Sequence, residues 1–417
     1  MIGVIRKLAA RPRSARRRPR VCIVRQCDLY VMADQRECEA LVAAGFDVEF
    51  LCMRSDERPR RTVINGVEIT SLPASLGRSG ALGYALGYGW FFVLTASVLA
   101  GRHLRRRYSV VQINTMPDFL VFAAIVPKLL GSRVVAYMKE PTPELAEVIY
   151  GPGRITQALA RIEQWTLRFA DHSVTVTEQL KQRYVESGAR ADRISVVLNG
   201  TGAETLIASW TPPEDAPNDQ FTLICHGSIE DRYGQDVIVE AVKLLRDELP
   251  DLRVVLTGRG SRVDQLVAMI AEADLGGIIS YEGWVSRDRL NDLLHAADAG
   301  IVAQKASPYS HLVHTNKMVD YWIFGLPVIA SRLRAVSEVY GNSELEYYDP
   351  DDPRDLARAI RHLHDDPARR AELAENGSQA QLRNGWAVQR NAYVGVYDAL
   401  LARSSLDGPT RRPAESV

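Results

Sequence analysis

The stretch His311-Leu-Val-His-Thr-Asn-Lys-Met-Val-Asp-Tyr-Trp-Ile-Phe-Gly-Leu-Pro-Val-Ile-Ala330 joins a polar loop, a short helix, a stop and a buried strand. Thr315 and Asn316 can cap a helix running from about Lys317 to Phe324. Gly325 suits the position just past its end, Pro327 forbids continuation, and Val328-Ile-Ala330 begins an apolar strand. A helix start leaves backbone N–H groups unpaired, which makes it a seat for phosphate. Lys317 adds a cation there, and Asp320 follows one turn later on the same face, placed to meet ribose hydroxyls. Taken alone, the same residues also read as an ordinary capped helix of an α/β unit.

The alternation extends in both directions. Val21–Val24 is a short strand, a helix spans about Asp34 to Ala44, and Val48–Cys52 is the next strand. Val67–Thr70 follows an Asn65-Gly66 turn. Ser109–Ile113, Arg133–Tyr137, Asp171–Val176 and Ile194–Leu198 read as strands, with helices over Asp118–Leu130, Ile155–Ala170 and Glu178–Ser187 between them. Strands separated by single helices imply parallel pairing and a doubly wound sheet. Residues 206–220 carry three prolines and little periodicity, so they read as a linker. A second alternation then runs through strands Phe221–Cys225, Arg253–Thr257, Ile278–Gly283 and Gly300–Ala303, with helices Gln235–Glu248 and Arg287–Ala296. Helices over Asp352–Asp365 and 367–378 follow the opening stretch.

The expected architecture is therefore a basic arm (1–20), a first α/β domain (21–205), the linker, a second α/β domain (221–385) and a polar tail (403–417). An amphipathic helix over about 386–402 is expected to lie back across the first domain. At 417 residues the chain exceeds what one core usually holds. Two such sheets present their ligand edge at the carboxyl ends of their strands, so the cleft between them is the expected site.

Net charge is zero but unevenly spread: residues 1–20 carry eight basic side chains and no acid, and the remaining 397 residues hold 43 basic against 51 acidic groups. The body is acidic overall, so no nucleic-acid partner is expected. The arm reads either as a holder of anionic lipid or as a solvated tail. It lacks the apolar core and cleavage site of a secretory signal. Ala81–Ala100 contains no charge and is followed by Arg102, Arg105, Arg106 and Arg107. Its length meets the threshold for a spanning helix, but Gly83, Gly87 and Gly89 weaken it and an excursion out of one sheet is costly. The expectation is a helix that belongs to the first domain and turns an apolar flank outward, making residues 1–20 and 81–107 a peripheral membrane contact. The five cysteines form no C-x-x-C pair, which points to buried free thiols in a reducing, cytoplasmic setting and to no metal. No G-x-G-x-x-G follows the first strand, which disfavours a dinucleotide-dependent dehydrogenase.

Several patches, in order, resemble glycosyltransferase family 4. They are Asp34-Gln-Arg36 with Glu39-Ala40, Lys139-Glu-Pro-Thr-Pro-Glu144, Ser195-Val-Val-Leu-Asn-Gly200, and Gly227-Ser-Ile-Glu-Asp-Arg-Tyr-Gly234. Leu256-Thr-Gly-Arg-Gly260, Gly283-Trp-Val285 and Asn316-Lys-Met-Val-Asp320 with Gly325-Leu-Pro-Val328 complete the set. The resemblance covers about residues 20–402. It implies a GT-B fold, two Rossmann-like domains facing a cleft, and a retaining transfer of sugar from a nucleotide-sugar donor without metal or other cofactor. It places Arg232 and Lys317 against the donor diphosphate, Gly227, Ser228 and Gly258 in the phosphate loops, and Trp284 and Val285 against the base. It places Asn316 at the helix start and Asp320 on the ribose. The acceptor expected is a lipid-linked or cell-envelope glycan.

The departures are specific. The first acid of the family's pair falls at Leu312, and the second is Asp320 where glutamate is usual. Lys139-Glu140 stands where many members carry His-Asp, so Lys139 is read as a cation near the transferred sugar or Glu140 as a holder of one of its hydroxyls. Leu29–Ala33 lacks the usual glycine pair. His311 and His314 are alternative polar contacts or ordinary loop residues. Two other readings stay open on these grounds: a nucleotide-sugar epimerase or hydrolase, and a degenerate partner subunit.

Overall fold

In the computed structural model the described residues are 18–26, 32–54, 59–75, 80–200, 211, 213 and 219–406. Most of the linker (206–220), most of the arm, residues 29–31 and the tail beyond 406 lie outside them.

The first domain runs β1 (Arg20–Arg25), α1 (Met32–Ala43), β2 (Asp47–Met53), β3 (Arg61–Ile64), β4 (Val67–Leu72) and α2 (Gly80–Arg105). It continues with β5 (Val110–Asn114), α3 (Ile125–Leu129), β6 (Arg133–Met138), α4 (Thr142–Tyr150) and α5 (Arg154–Phe169). β7 (His172–Thr175), α6 (Glu178–Glu186) and β8 (Ile194–Val196) complete it. The sheet order is β3-β4-β2-β1-β5-β6-β7-β8. All pairings are parallel except β3 with β4, which form an antiparallel hairpin closed at Asn65-Gly66. That hairpin corrects the expectation of uniformly parallel strands: two residues of turn leave no room for a crossover.

The second domain runs β9 (Phe221–His226), α7 (Gln235–Leu245), β10 (Leu252–Thr257), α8 (Val263–Glu272), β11 (Ile279–Tyr281), α9 (Arg287–His295) and β12 (Ala299–Val302). Then come α10 (Lys317–Ile323), β13 (Val328–Ser331), α11 (Arg334–Ser337), β14 (Glu346–Tyr348), α12 (Pro353–Asp365), α13 (Pro367–Asn384) and α14 (Trp386–Leu406). Its six strands are all parallel, in the order β11-β10-β9-β12-β13-β14. β9 sits mid-sheet because every residue of Phe221-Thr-Leu-Ile-Cys-His226 but Thr222 is buried.

Four details differ from the sequence reading. Asp118–Leu130 is not one helix but a 3-10 run (Asp118–Ala124) followed by α3. Pro127 has no N–H to offer Ala123, so a regular α-helix cannot pass through both. The helix expected over 367–378 reaches Asn384, and the next one reaches Leu406. Three short elements, α4, α11 and β14, and the ten-residue α8 were not anticipated.

α14 does cross to the first domain. Tyr393 and Tyr397 are fully buried in the first core, and both hydroxyls donate to Gln112 Oε1 on β5. α2 packs by Phe91, Thr95 and Leu99, each fully buried, while Leu86, Trp90 and Val93 on its other side are at least half exposed. Among the described residues no helix is long and apolar enough to cross a membrane. Cys22, Cys38, Cys52 and Cys225 are buried free thiols.

Candidate functional site

The site begins where β9 and β10 end. Gly227, just past β9, has φ +110°, and a β-carbon there would lie 2.7 Å from Lys317 Cε. Gly258, just past β10, has φ +143°, and its β-carbon would fall 1.7 Å from the Gly227 carbonyl oxygen. Both positions therefore require glycine, for conformation and for space. Gly227 N–H donates to Thr257 O at 2.9 Å and Gly258 N–H to Gly283 O at 2.7 Å. The loops after β9, β10 and β11 are thereby tied into one floor.

Lys317 opens α10 and stands over that floor. Its ammonium is 4.5 Å from the centre of the Tyr233 ring, and the Arg232 guanidinium is 4.8 Å from the same ring. Burial, with the positive field of Arg232, pulls the Lys317 ammonium below its ordinary range. The Arg232 Nε is buried without a hydrogen-bond partner. Two half-buried cations held against one ring are an arrangement that an anion would relieve. Asn316, expected as a cap, makes no side-chain cap bond, and its Oδ1 is buried and unpartnered. Thr315 Oγ1 is only a long 3.5 Å from the Lys317 N–H. The helix start is thus met by its own side chains through this one long bond.

Asp320 stands one turn along α10, with Oδ2 3.7 Å from His226 Nε2. Burial and the charges of Lys317 and Arg287 push the His226 imidazole down to about 3, so it is neutral and this contact is not an ion pair. His226, unremarked in the sequence, rests edge-on against Tyr321 at 5.2 Å and its Nε2 has no hydrogen-bond partner. His314 is buried with neither ring nitrogen partnered, and burial lowers it to about 4. His311 instead accepts from the Arg334 N–H at 3.3 Å, away from these groups.

The first domain supplies the opposite wall. Lys139 is paired with the fully buried Glu37 at 2.6 Å and lies 4.5 Å from the Tyr137 ring, so its charge is already countered. Glu140 accepts from the Tyr309 hydroxyl of the second domain at 2.5 Å. Burial raises the Glu140 carboxyl, against the pull of that hydrogen bond and of Arg232. Leu312, where an acid would be needed, packs on the first domain's core and its carbonyl accepts from Thr177 Oγ1 at 2.5 Å. It serves the joint between domains, which explains why an acid is not there.

Two hollows open from this floor and share His226, Gly227 and Ser228. One, of about 310 Å³, reaches from Lys139 and Glu140 to Lys317 and Asp320. The other, of about 210 Å³, runs over Gly258 to Trp284 and Val285. Trp284 is 68% exposed, a ring presented to solvent beside Arg259. Among the described residues no group of His, Cys, Asp and Glu is arranged to hold a metal ion. Lys317 lines the larger hollow, with Arg232 behind Tyr233 and outside both linings; a cation between an aromatic shelf at one end and a carboxyl at the other suits a long ligand with a central negative charge.

Residues 35–200 match the family model described as glycosyl transferase 4-like domain, and residues 208–380 match glycosyl transferases group 1. The lipopolysaccharide core biosynthesis glycosyltransferase LpsD of Rhizobium meliloti is 29% identical over 233 residues, which are 55% of this chain and 64% of LpsD. The match thus spans less than two thirds of that relative's length. Among solved structures, sucrose-phosphate synthase from Thermosynechococcus elongatus superposes with TM-score 0.73 and 17% identity over 93% of this chain and 100% of its own. Anabaena HepE in complex with UDP-glucose does so with TM-score 0.68 and 16% identity over 93% of this chain and 99% of its own. At such identities these structures bear on the fold alone, and the fold is GT-B.

Proposed function

We propose that this chain, a GT-B glycosyltransferase by the domain families of its two halves, moves a sugar from a nucleoside-diphosphate donor to an acceptor hydroxyl with retention at the anomeric carbon. The observation that carries the reading is the pair Arg232 and Lys317 on one ring, with Lys317 and that ring lining the larger hollow. A diphosphate there meets two fixed positive charges at the start of α10. The same groups stabilise it as it departs, with no metal required. The base lies toward Trp284 and Val285, with Ser228 and Gly258 below, and Asp320 faces the ribose. The sugar then points toward Glu140.

The bond from the anomeric carbon to the diphosphate oxygen breaks on the face where the acceptor hydroxyl arrives. The new carbon–oxygen bond forms there, and the hydroxyl proton passes to the leaving diphosphate. Glu140 and His314 are the polar groups nearest the transferred sugar, and Lys139 acts through its pair with Glu37. The acceptor enters along the first domain, and the likeness to LpsD, a lipopolysaccharide core biosynthesis glycosyltransferase, makes a lipid-linked or envelope glycan the favoured class. The test is a thermal-shift panel of UDP, GDP, ADP and dTDP, followed by turnover of the matching nucleotide sugar. A ligand that binds only the folded chain adds about 2.7 kcal/mol at a hundred times its dissociation constant. No shift with any of the four removes the reading.

A further inference from the structure

A second basic hollow lies at the other end of the first sheet, where β1 and β2 begin. Its volume is about 460 Å³, and five arginines (Arg20, Arg61, Arg102, Arg105 and Arg106) line it against only two acids. The acids are spent inside. Glu49, 1% exposed in its side chain, is paired with Arg102 and accepts from the Tyr108 hydroxyl at 2.7 Å. Glu68 takes Arg20 at 3.0 Å. Arg20 is itself only 8% exposed, its charge countered further by Asp47 and Glu49, each at 3.6 Å. Among the described residues Arg61, Arg105 and Arg106 meet no carboxylate, so the mouth keeps three uncompensated charges.

The arginines at 102–106 end α2, whose outer face is apolar. Leu86, Trp90, Val93 and Leu104 are exposed by 66, 54, 50 and 71%, at spacings that put them on one stripe. α3 packs beside α2 and adds Ile125 and Leu129, exposed by 47 and 80%. An exposed apolar stripe ending in unpaired arginines has the make-up of an interfacial helix, and a contiguous apolar patch of this kind marks a contact surface. We infer that this face docks on an anionic phospholipid surface, with a lipid phosphate seated in the arginine hollow and the α2 stripe in the boundary between headgroups and acyl chains. The charge selects the lipid class: three free guanidiniums want phosphate, and the neighbouring stripe wants hydrocarbon.

This inference does not rest on the donor site, because the hollow is lined by residues of the first domain alone, whereas Gly227 and Lys317 belong to the second. The experiment is co-sedimentation of the full chain with vesicles of phosphatidylcholine alone and of phosphatidylcholine mixed with phosphatidylglycerol. Binding is expected to the mixed vesicles only, and to weaken as salt rises. R61Q/R105Q/R106Q should lower partition about a hundredfold with thermal stability and nucleotide-induced shifts unchanged. Leu86→Ser with Val93→Ser should lower it as well. Equal binding to neutral vesicles, or no binding to either, overturns the proposal. So does displacement by inorganic phosphate of a signal that vesicles do not compete for, which would mark a site for a soluble anion.

Discussion

Arg232 and Lys317, 85 residues apart in the chain, rest on the same tyrosine ring, at 4.8 and 4.5 Å from the centre of Tyr233. The ring gives each cation a partner that a diphosphate need not displace. Like charges so close raise the energy of the empty site and lower that of the filled one.

Removing either cation should therefore cost the departing diphosphate its stabilisation. Arg232→Ala and Lys317→Ala are expected to lower kcat by about 10²–10³ each, the size seen when one fixed donor is lost. Lys317→Met keeps the buried volume and should behave alike. Turnover at saturating donor, with circular dichroism as the control for folding, checks this. Unchanged rates would take both side chains out of the mechanism.

Gly227→Ala should strike the same place from below. The added carbon would lie 2.7 Å from Lys317 Cε, at a φ of +110° that alanine rarely adopts. The backbone term is on the order of 1–3 kcal/mol. Displacement of the ammonium should raise the donor KM by about tenfold or more. Donor titration at constant acceptor measures it, and a KM within the wild-type range refutes the contact.

Tyr309→Phe tests the link between domains. The hydroxyl bond holds the Glu140 carboxyl down against the upward push of burial. Without it the carboxyl rises further, so an activity that needs the ionised group should lose its acid limb at higher pH than in the wild type. A kcat/KM profile from acid to neutral pH reads the shift. A superposable profile means that Glu140 ionisation does not govern the rate.

Asp118 predicts a pH dependence of stability. Burial lifts its carboxyl to about 7, opposed by the Thr142 hydroxyl and Arg183, and its Oδ2 is unpartnered. A raised carboxyl keeps its proton when folded after the unfolded chain has lost it. Stability should therefore fall as pH rises from the ordinary value of 3.8 through about 7, and level off above. Asp118→Asn, which keeps an acceptor for Thr142, should gain on the order of 3 kcal/mol relative to wild type between acid and mildly alkaline pH. Urea midpoints at both ends decide it.

What the sequence disclosed follows from where the information lies. Gly227, Gly258, Lys317 and Asp320 sit in short runs whose residue types answer to local geometry, so a reader of the chain can single them out. The α2 flank was legible because its charge gap ends in arginines. Tyr309 touching Glu140, 169 positions away, has no local signature. Neither does Glu37, which claims Lys139 across 102 positions. His226 ends an apolar strand and reads as part of it until Asp320 is seen beside it. The antiparallel hairpin of β3 and β4 was announced only by Asn65-Gly66, and Arg61–Ile64 is too short and too polar to signal a strand.

Leu312 gives the joint between the halves a further property. The segment from Tyr309 to Lys317 belongs to the second domain by connectivity, yet it is fastened to the first domain through Glu140, Thr177 and an apolar seat. The gap therefore cannot widen without unplugging that leucine and tugging the ammonium that sits five residues on. Leu312 is therefore a mechanical fastener, a half-buried peg that ties the loop before α10 to the first core.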